Sequence, residues 1–374
     1  MSVEIKTNYL KDRIKRLMDN TSSVRDNAFL FVKRLFVICG LVFFAIFYIL
    51  FALWCLGAFY YAPGTSVFLR VLNMILFSAL VVPAPFFQPH RYFLSGAVAL
   101  MITISLLWGT IKPSHEADWS AEYERLPLIQ WQADRNTFTI RDLRDFHFRT
   151  TSDFDVRYIS ENFRLSDLKA IDFLAVYWPQ PCEEEIAHIM LRFRFDDGKN
   201  FLVSSETRRP NGSKYGAINN LYKQSGKNYI LATEQDILSL RTHIRDPQER
   251  VYIYELNLTA AQRETILRDL IDRINDLHPH PQFYNTLTDN CFTELLPSMK
   301  AGLDMPFFHY AYLVSGRAPE TFFKAGYLKK KGDETFEELK ARSYLNPAVK
   351  NWDHQPETYS QLIHNWEKEN KNDF

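Results

Sequence analysis

The chain has 374 residues and carries 44 basic and 44 acidic side chains, so its formal charge is zero. That length allows one or two domains, and the even balance offers no bulk attraction for nucleic acid. Four cysteines with no CxxC pair among them leave no zinc-type spacing.

Nearly all the long apolar runs lie before residue 112. Residues 1–34 form a polar arm with eight basic side chains, Lys6, Lys11, Arg13, Lys15, Arg16, Arg25, Lys33 and Arg34. Leu35 to Tyr61 then runs without a charge. At about 1.5 Å per residue it can cross a hydrocarbon core of roughly 30 Å with some tilt. It is too long and begins too late for a cleavable signal peptide. A second span is predicted over Phe68–Phe87 and a third over Tyr92–Ile111, joined by the short link Gln88-Pro89-His90-Arg91. The membrane region is thus 35–111. Basic residues favour the cytoplasmic side. The arm and the Arg91 link are therefore expected inside, and three crossings leave everything after Lys112 outside.

From residue 112 to 366 the pattern is that of a soluble α+β domain. Residues 113–180 suggest short strands and one helix near Leu165–Ile171. From Ile186 to Phe195 the residues alternate, with Ile189, Leu191, Phe193 and Phe195 on one face and His188, Met190, Arg192 and Arg194 on the other. Asp196-Asp197-Gly198 suits a three-residue hairpin loop with glycine in the left-handed position. That loop pairs Phe195 with Lys199, Phe193 with Phe201 and Leu191 with Val203, and it sets His188 opposite Glu206. Directly paired positions have Cβ atoms roughly 4.5–5.5 Å apart. A carboxylate there orients the imidazole and favours its charged form; a solvated His–Glu pair of little consequence fits the same pattern.

Thr207 to Asp246 is polar, and most of its arginines and acids read as a salt-bridged surface. Arg208 differs, because strand parity places it on the Glu206 face. Val251–Leu258 reads as a strand. Thr259-Ala260-Ala261-Gln262 is a capping box, opening a helix to about Leu277 with a buried stripe of Ile266, Leu267, Leu270, Ile271, Ile274 and Leu277. His278 and His280 lack a third ligand nearby, so no metal site is expected. Asp289 or Asn290 can cap a further helix that begins near Cys291 and that Pro297 bends or ends. A thiol at a helix N-terminus is favoured as thiolate, the nucleophilic form; a small buried apolar cysteine is the other reading of Cys291. Further helices are expected near Glu320–Tyr327 and Glu334–Arg342. Residues 367–374 read as a polar, fraying tail.

Ala187-His188 with Phe193, the run Ser204-Ser205-Glu206-Thr207-Arg208, the segment Asp236 to Arg241 and the run Phe283-Tyr284-Asn285-Thr286-Leu287-Thr288-Asp289-Asn290-Cys291 resemble a bacterial family. It is the Lnb-type N-terminal periplasmic domain family, named for a lipoprotein N-acyltransferase. The resemblance implies a papain-like thiol fold in permuted order, similar to lecithin:retinol acyltransferase and NlpC-type enzymes, with an antiparallel sheet. It implies Cys291 as nucleophile, His188 as base and Glu206 as the group that orients the base, with Arg208, Asn290 and Tyr284 supporting the site. No cofactor and no metal are implied. The expected partners are a membrane lipid as acyl donor and an amine acceptor, with a lipoprotein N-terminus as the candidate. A cell-wall or peptide amidase would use the same three groups. A non-enzymatic envelope scaffold would instead join Cys182 to Cys291 in a disulfide, which an oxidising compartment permits.

Overall fold

The computed structural model describes residues 2–179 and 184–371. The chain divides into two compact units, residues 1–112 and 113–374.

The first unit consists of α1 (Ser2–Tyr60), α2 (Val67–Val81) and α3 (His90–Gly109). No proline or glycine interrupts the basic arm, so α1 runs unbroken for 59 residues from the arm into the first apolar run. Ser66 caps α2 by accepting from the Leu69 N–H at 3.4 Å. Three stretches, Phe31–Tyr60, Val67–Phe86 and His90–Gly109, are long and apolar enough to cross a membrane. Their surfaces carry exposed Leu41, Phe43, Leu76 and Leu106 rather than a polar stripe, the pattern of helices solvated by lipid. Tyr48, one of the few buried side chains, donates its hydroxyl to the Val81 carbonyl at 2.7 Å.

Among its described residues the second unit has ten strands. They are β1 (Leu128–Trp131), β2 (Thr137–Arg144), β3 (His147–Phe148), β4 (Phe154–Asp155), β5 (Tyr158–Arg164), β6 (Leu168–Tyr177), β7 (Ala187–Phe195), β8 (Asn200–Arg208), β9 (Gly226–Ala232) and β10 (Arg250–Glu255). Its helices are α4 (Ala217–Leu221), α5 (Glu234–Ser239), α6 (Ala260–Asp276), α7 (Cys291–Gly302), α8 (Ala318–Lys324), α9 (Phe336–Arg342), α10 (Asn346–Val349) and α11 (Pro356–Lys371). The main sheet runs β1-β2-β9-β8-β7-β6-β10, with β5 on β2. It is mixed rather than antiparallel throughout, because β2 meets β9 in parallel at Arg144 and Ala232. A pairing between strands this far apart in sequence leaves no mark in local alternation.

The β7–β8 hairpin has the predicted register: Phe193 faces Phe201 and Leu191 faces Val203. The Phe195 N–H donates to Lys199 O at 3.0 Å, and Gly198 takes φ +83°. Ile189, Leu191 and Phe193 pack with Ile266, Leu270, Phe292 and Leu295 in the larger core. The other face is covered too. Met190, Leu202 and Ile230 lie with Ile237, Tyr359 and Ile363 in a second core. Arg192 is fully buried. It reaches Asp172 and Glu234 at 2.6 Å each, and also Glu367. A buried cation is tolerated only when paired in this way.

Several expectations are corrected. The helix near Leu165–Ile171 is a single turn, Leu165–Asp167, followed by β6. That strand is buried on both faces and so shows no alternation. The Thr207–Asp246 stretch is not mainly surface: Glu234, Asp236 and Arg241 are buried, each with an oppositely charged partner. Pro297 does not end α7, which continues to Gly302. Beyond the proline, Ser298 and Met299 are buried, and the Ser298 hydroxyl holds Asp269 at 2.7 Å. The polar tail is helical to Lys371, and Glu367 is tied to Arg192.

Candidate active site

Helix α7 begins at the thiol. Asn290 has extended backbone, and its side chain accepts from the N–H groups of Phe292 and Thr293 at 3.0 Å each. Thr293 returns the contact by accepting from the Asn290 N–H at 2.8 Å, which completes a capping box. Phe292 anchors the first turn among Phe173, Tyr312 and Phe322. The segment before it is stapled to β9: Lys227 N–H donates to Gln282 O at 2.8 Å, and Tyr284 N–H to Ser225 O at 3.0 Å. The buried Lys227 ammonium reaches Glu294 at 2.7 Å and Asp289 at 3.1 Å. These contacts fix where Cys291 sits.

Cys291 is partly exposed, and it is a free thiol. Its sulfur lies close enough to the His188 imidazole and to the Ile189 N–H at the start of β7 for both to favour the thiolate. His188 is buried, with its ring centroid 6.5 Å from that of Trp178. Its Nε2 faces the Ser204 hydroxyl at 2.7 Å and the Glu206 carboxylate at 3.1 Å. Ser204 donates to the same carboxylate oxygen at 2.8 Å. With Nε2 spent on Ser204 and Glu206, Nδ1 is the nitrogen left for the thiol. Arg241 closes the row, reaching Glu206 at 3.3 Å and Glu249 at 2.9 Å.

Electrostatics follow from this row. Burial alone would push the His188 imidazole down, but the Glu206 charge, and after it Cys291, raise it from 6.5 to about 9. Burial would push the Cys291 thiol up, but the His188 charge and hydrogen bond, with the Ile189 N–H, bring it below its ordinary value. Burial likewise opposes the Glu206 charge, yet His188, Arg241 and Ser204 hold its carboxyl well below the usual range. The row favours a thiolate beside an imidazolium backed by a carboxylate, the nucleophilic form of the thiol.

The other candidate residues divide. Tyr284 is buried, and its hydroxyl is close enough to the Cys291 N–H to feel it. Burial first, then the nearby Cys291 charge, push its phenol up, so the hydroxyl keeps its proton. Asn290 is the helix cap. Arg208 is not at the thiol: it donates to Tyr123 O at 2.9 Å and Glu124 O at 2.5 Å and lies over the Trp119 ring at 4.6 Å, tying β8 to the chain before β1. His278 bonds to the Pro127 carbonyl at 2.9 Å, and His280 pairs with Asp276 at 2.7 Å. Cys182 lies outside the described residues. Two members of the row escaped the sequence reading. Ser204 shares the Glu206 face by parity, a signal that was available. Arg241 looked like surface charge, and no local pattern marks it as buried.

Residues 154–305 match the Lnb N-terminal periplasmic domain. The matched segment runs from β4 to just past α7 and so contains His188, Ser204, Glu206, Arg241 and Cys291. No curated protein and no solved structure matches the chain.

Proposed function

We propose that the chain is a membrane-anchored thiol acyltransferase with a papain-like site in permuted order, His188 before Cys291. The observation that carries the reading is the Cys291 thiol at a capped helix N-terminus beside an imidazole that Glu206, Ser204 and Arg241 hold in place. In the first half-reaction the Cys291 thiolate attacks the carbonyl of a lipid ester. The tetrahedral oxyanion is stabilised by the Cys291 N–H at the start of α7 and by the Tyr284 hydroxyl. It collapses to a thioester as His188 gives its proton to the departing alcohol. In the second half-reaction an amine, such as a lipoprotein N-terminus, attacks the thioester. His188 takes the amine proton and the thiolate leaves as an amide forms. The three apolar spans support a lipid donor, since they would keep the thiol beside a membrane and raise the effective substrate concentration. On this reading the N-terminus is cytoplasmic and the soluble unit periplasmic.

The test uses labelled phospholipid with wild type and Cys291→Ala. Wild type should form a hydroxylamine-sensitive thioester and pass label to an amine, and the variant should do neither. Label appearing only as free fatty acid, or cleavage of a cell-wall amide instead of the lipid, would favour a hydrolase. Equal product from both proteins would end the proposal.

A further inference from the structure

Glu206 also lines a cavity of about 200 Å³ whose wall includes Glu122, Arg144, Arg209, Arg241 and Arg245. Four guanidinium groups against two carboxylates is an unusual lining. Asp236 and Glu249, outside the wall, bring the carboxylates to four, but the pairing is uneven. Arg144 is held in both directions by Asp236, at 2.6 and 2.9 Å. Arg245 is paired with Glu249, which also takes Arg241. Arg209 has no carboxylate within ion-pairing distance among the described residues. It donates one Nη to the Tyr123 hydroxyl at 2.7 Å and lies over that ring at 5.0 Å. The Nε atoms of Arg209 and Arg241 are both buried without a hydrogen-bond partner, and Arg241 as a residue is only 3% exposed. Leaving a buried donor unpaired is unfavourable, and both residues line this cavity.

We propose that this cavity is an anion site that takes a phosphate group, as a lipid headgroup or as free phosphate. Planar guanidinium donors suit tetrahedral oxyanions better than a point charge does. The space, roughly that of six waters, accommodates a phosphate and part of its ester. Arg241 would touch the anion while it also holds Glu206, so occupancy would be felt in the row that holds His188. Binding stands apart from the acyl-transfer reading, because it can be measured with no turnover. If both hold, the phosphate of the acyl donor is the natural occupant.

The experiment is calorimetric titration of the full chain in an uncharged, phosphate-free detergent. The probes are inorganic phosphate, dihexanoyl phosphatidylglycerol and dihexanoyl glycerol, which lacks the phosphate. Binding of inorganic phosphate identifies a free-anion site, and binding of the phosphatidylglycerol alone identifies a headgroup site. Arg209→Ala should weaken either by roughly tenfold or more, the loss of a charge-assisted pair of hydrogen bonds. Glu122→Gln, at a half-buried position, removes a wall carboxylate while keeping its shape and should tighten binding by about fivefold. The proposal is overturned if wild type binds neither phosphate probe, if dihexanoyl glycerol binds equally well, or if neither substitution changes the affinity. An Arg209→Ala chain that does not fold leaves the Glu122→Gln titration to decide.

Discussion

Replacing Glu206 by Gln keeps the shape and the acceptor for Ser204 but removes the charge that His188 depends on. The His188 imidazole stands at about 9 instead of 6.5. That difference is worth roughly 3 kcal/mol in favour of the imidazolium. The first opposing influence is burial, and the first favourable one is the Glu206 charge. Burial is already the largest single influence; without the Glu206 charge it is no longer outweighed, and the imidazole should be neutral at pH 7. The Cys291 thiol then loses its cationic partner, and burial, its own largest influence, carries it back to or above 9.0. A thiol of that value is thiolate in about one molecule in a hundred at pH 7. Part of the loss is offset because a more basic thiolate is a better nucleophile. The net expectation is a fall of at least about tenfold in the rate of Cys291 alkylation by iodoacetamide at pH 7. Arg241 keeps Glu249, so the fold should survive, as thermal melting can verify. Alkylation of Glu206→Gln within about twofold of wild type, with the same pH profile, would refute the account of the row.

Three other outcomes follow from the same geometry. The thiolate exists above its depressed pKa and the imidazolium below its raised one, so wild-type alkylation should climb well before pH 9.0 and change again near pH 9; in His188→Ala the climb should move to or beyond 9.0. Asn290→Ala removes the acceptor for two N–H groups at the α7 start, which should cost about 1 kcal/mol by denaturant titration and slow Cys291 alkylation. Gly302→Ala would set a Cβ 2.5 Å from Ile266 Cγ1 and 2.8 Å from the Gln262 carbonyl, where α7 crosses α6; overpacking of about 1–3 kcal/mol should lower the melting temperature by several degrees and leave the thiol reactive.

The local chain settled what depends on spacing alone. The Asp-Asp-Gly loop and the alternation around it set the β7–β8 register, and that register puts His188 beside Glu206, where the side chains meet at 3.1 Å. The Thr259–Gln262 box and the stripe from Ile266 to Leu277 marked α6, and Asn290 marked the start of α7. Each is fixed by contacts within a few residues or across one tight turn. Tertiary structure alone decided what covers the second face of the sheet. Alternation assigns Arg192 and Arg194 to a face, but it cannot say whether water or protein lies there. The covering came from α5 and from α11, whose Glu367 lies far along the chain from Arg192. For the same reason Arg241 looked like surface charge, since burial of an ion depends on a partner that the neighbouring sequence does not contain. The nearness of Cys291 to His188 is of that kind too: hydrogen bonds from β9 and the packing of Phe292 carry the thiol to the start of β7, and no periodicity records it.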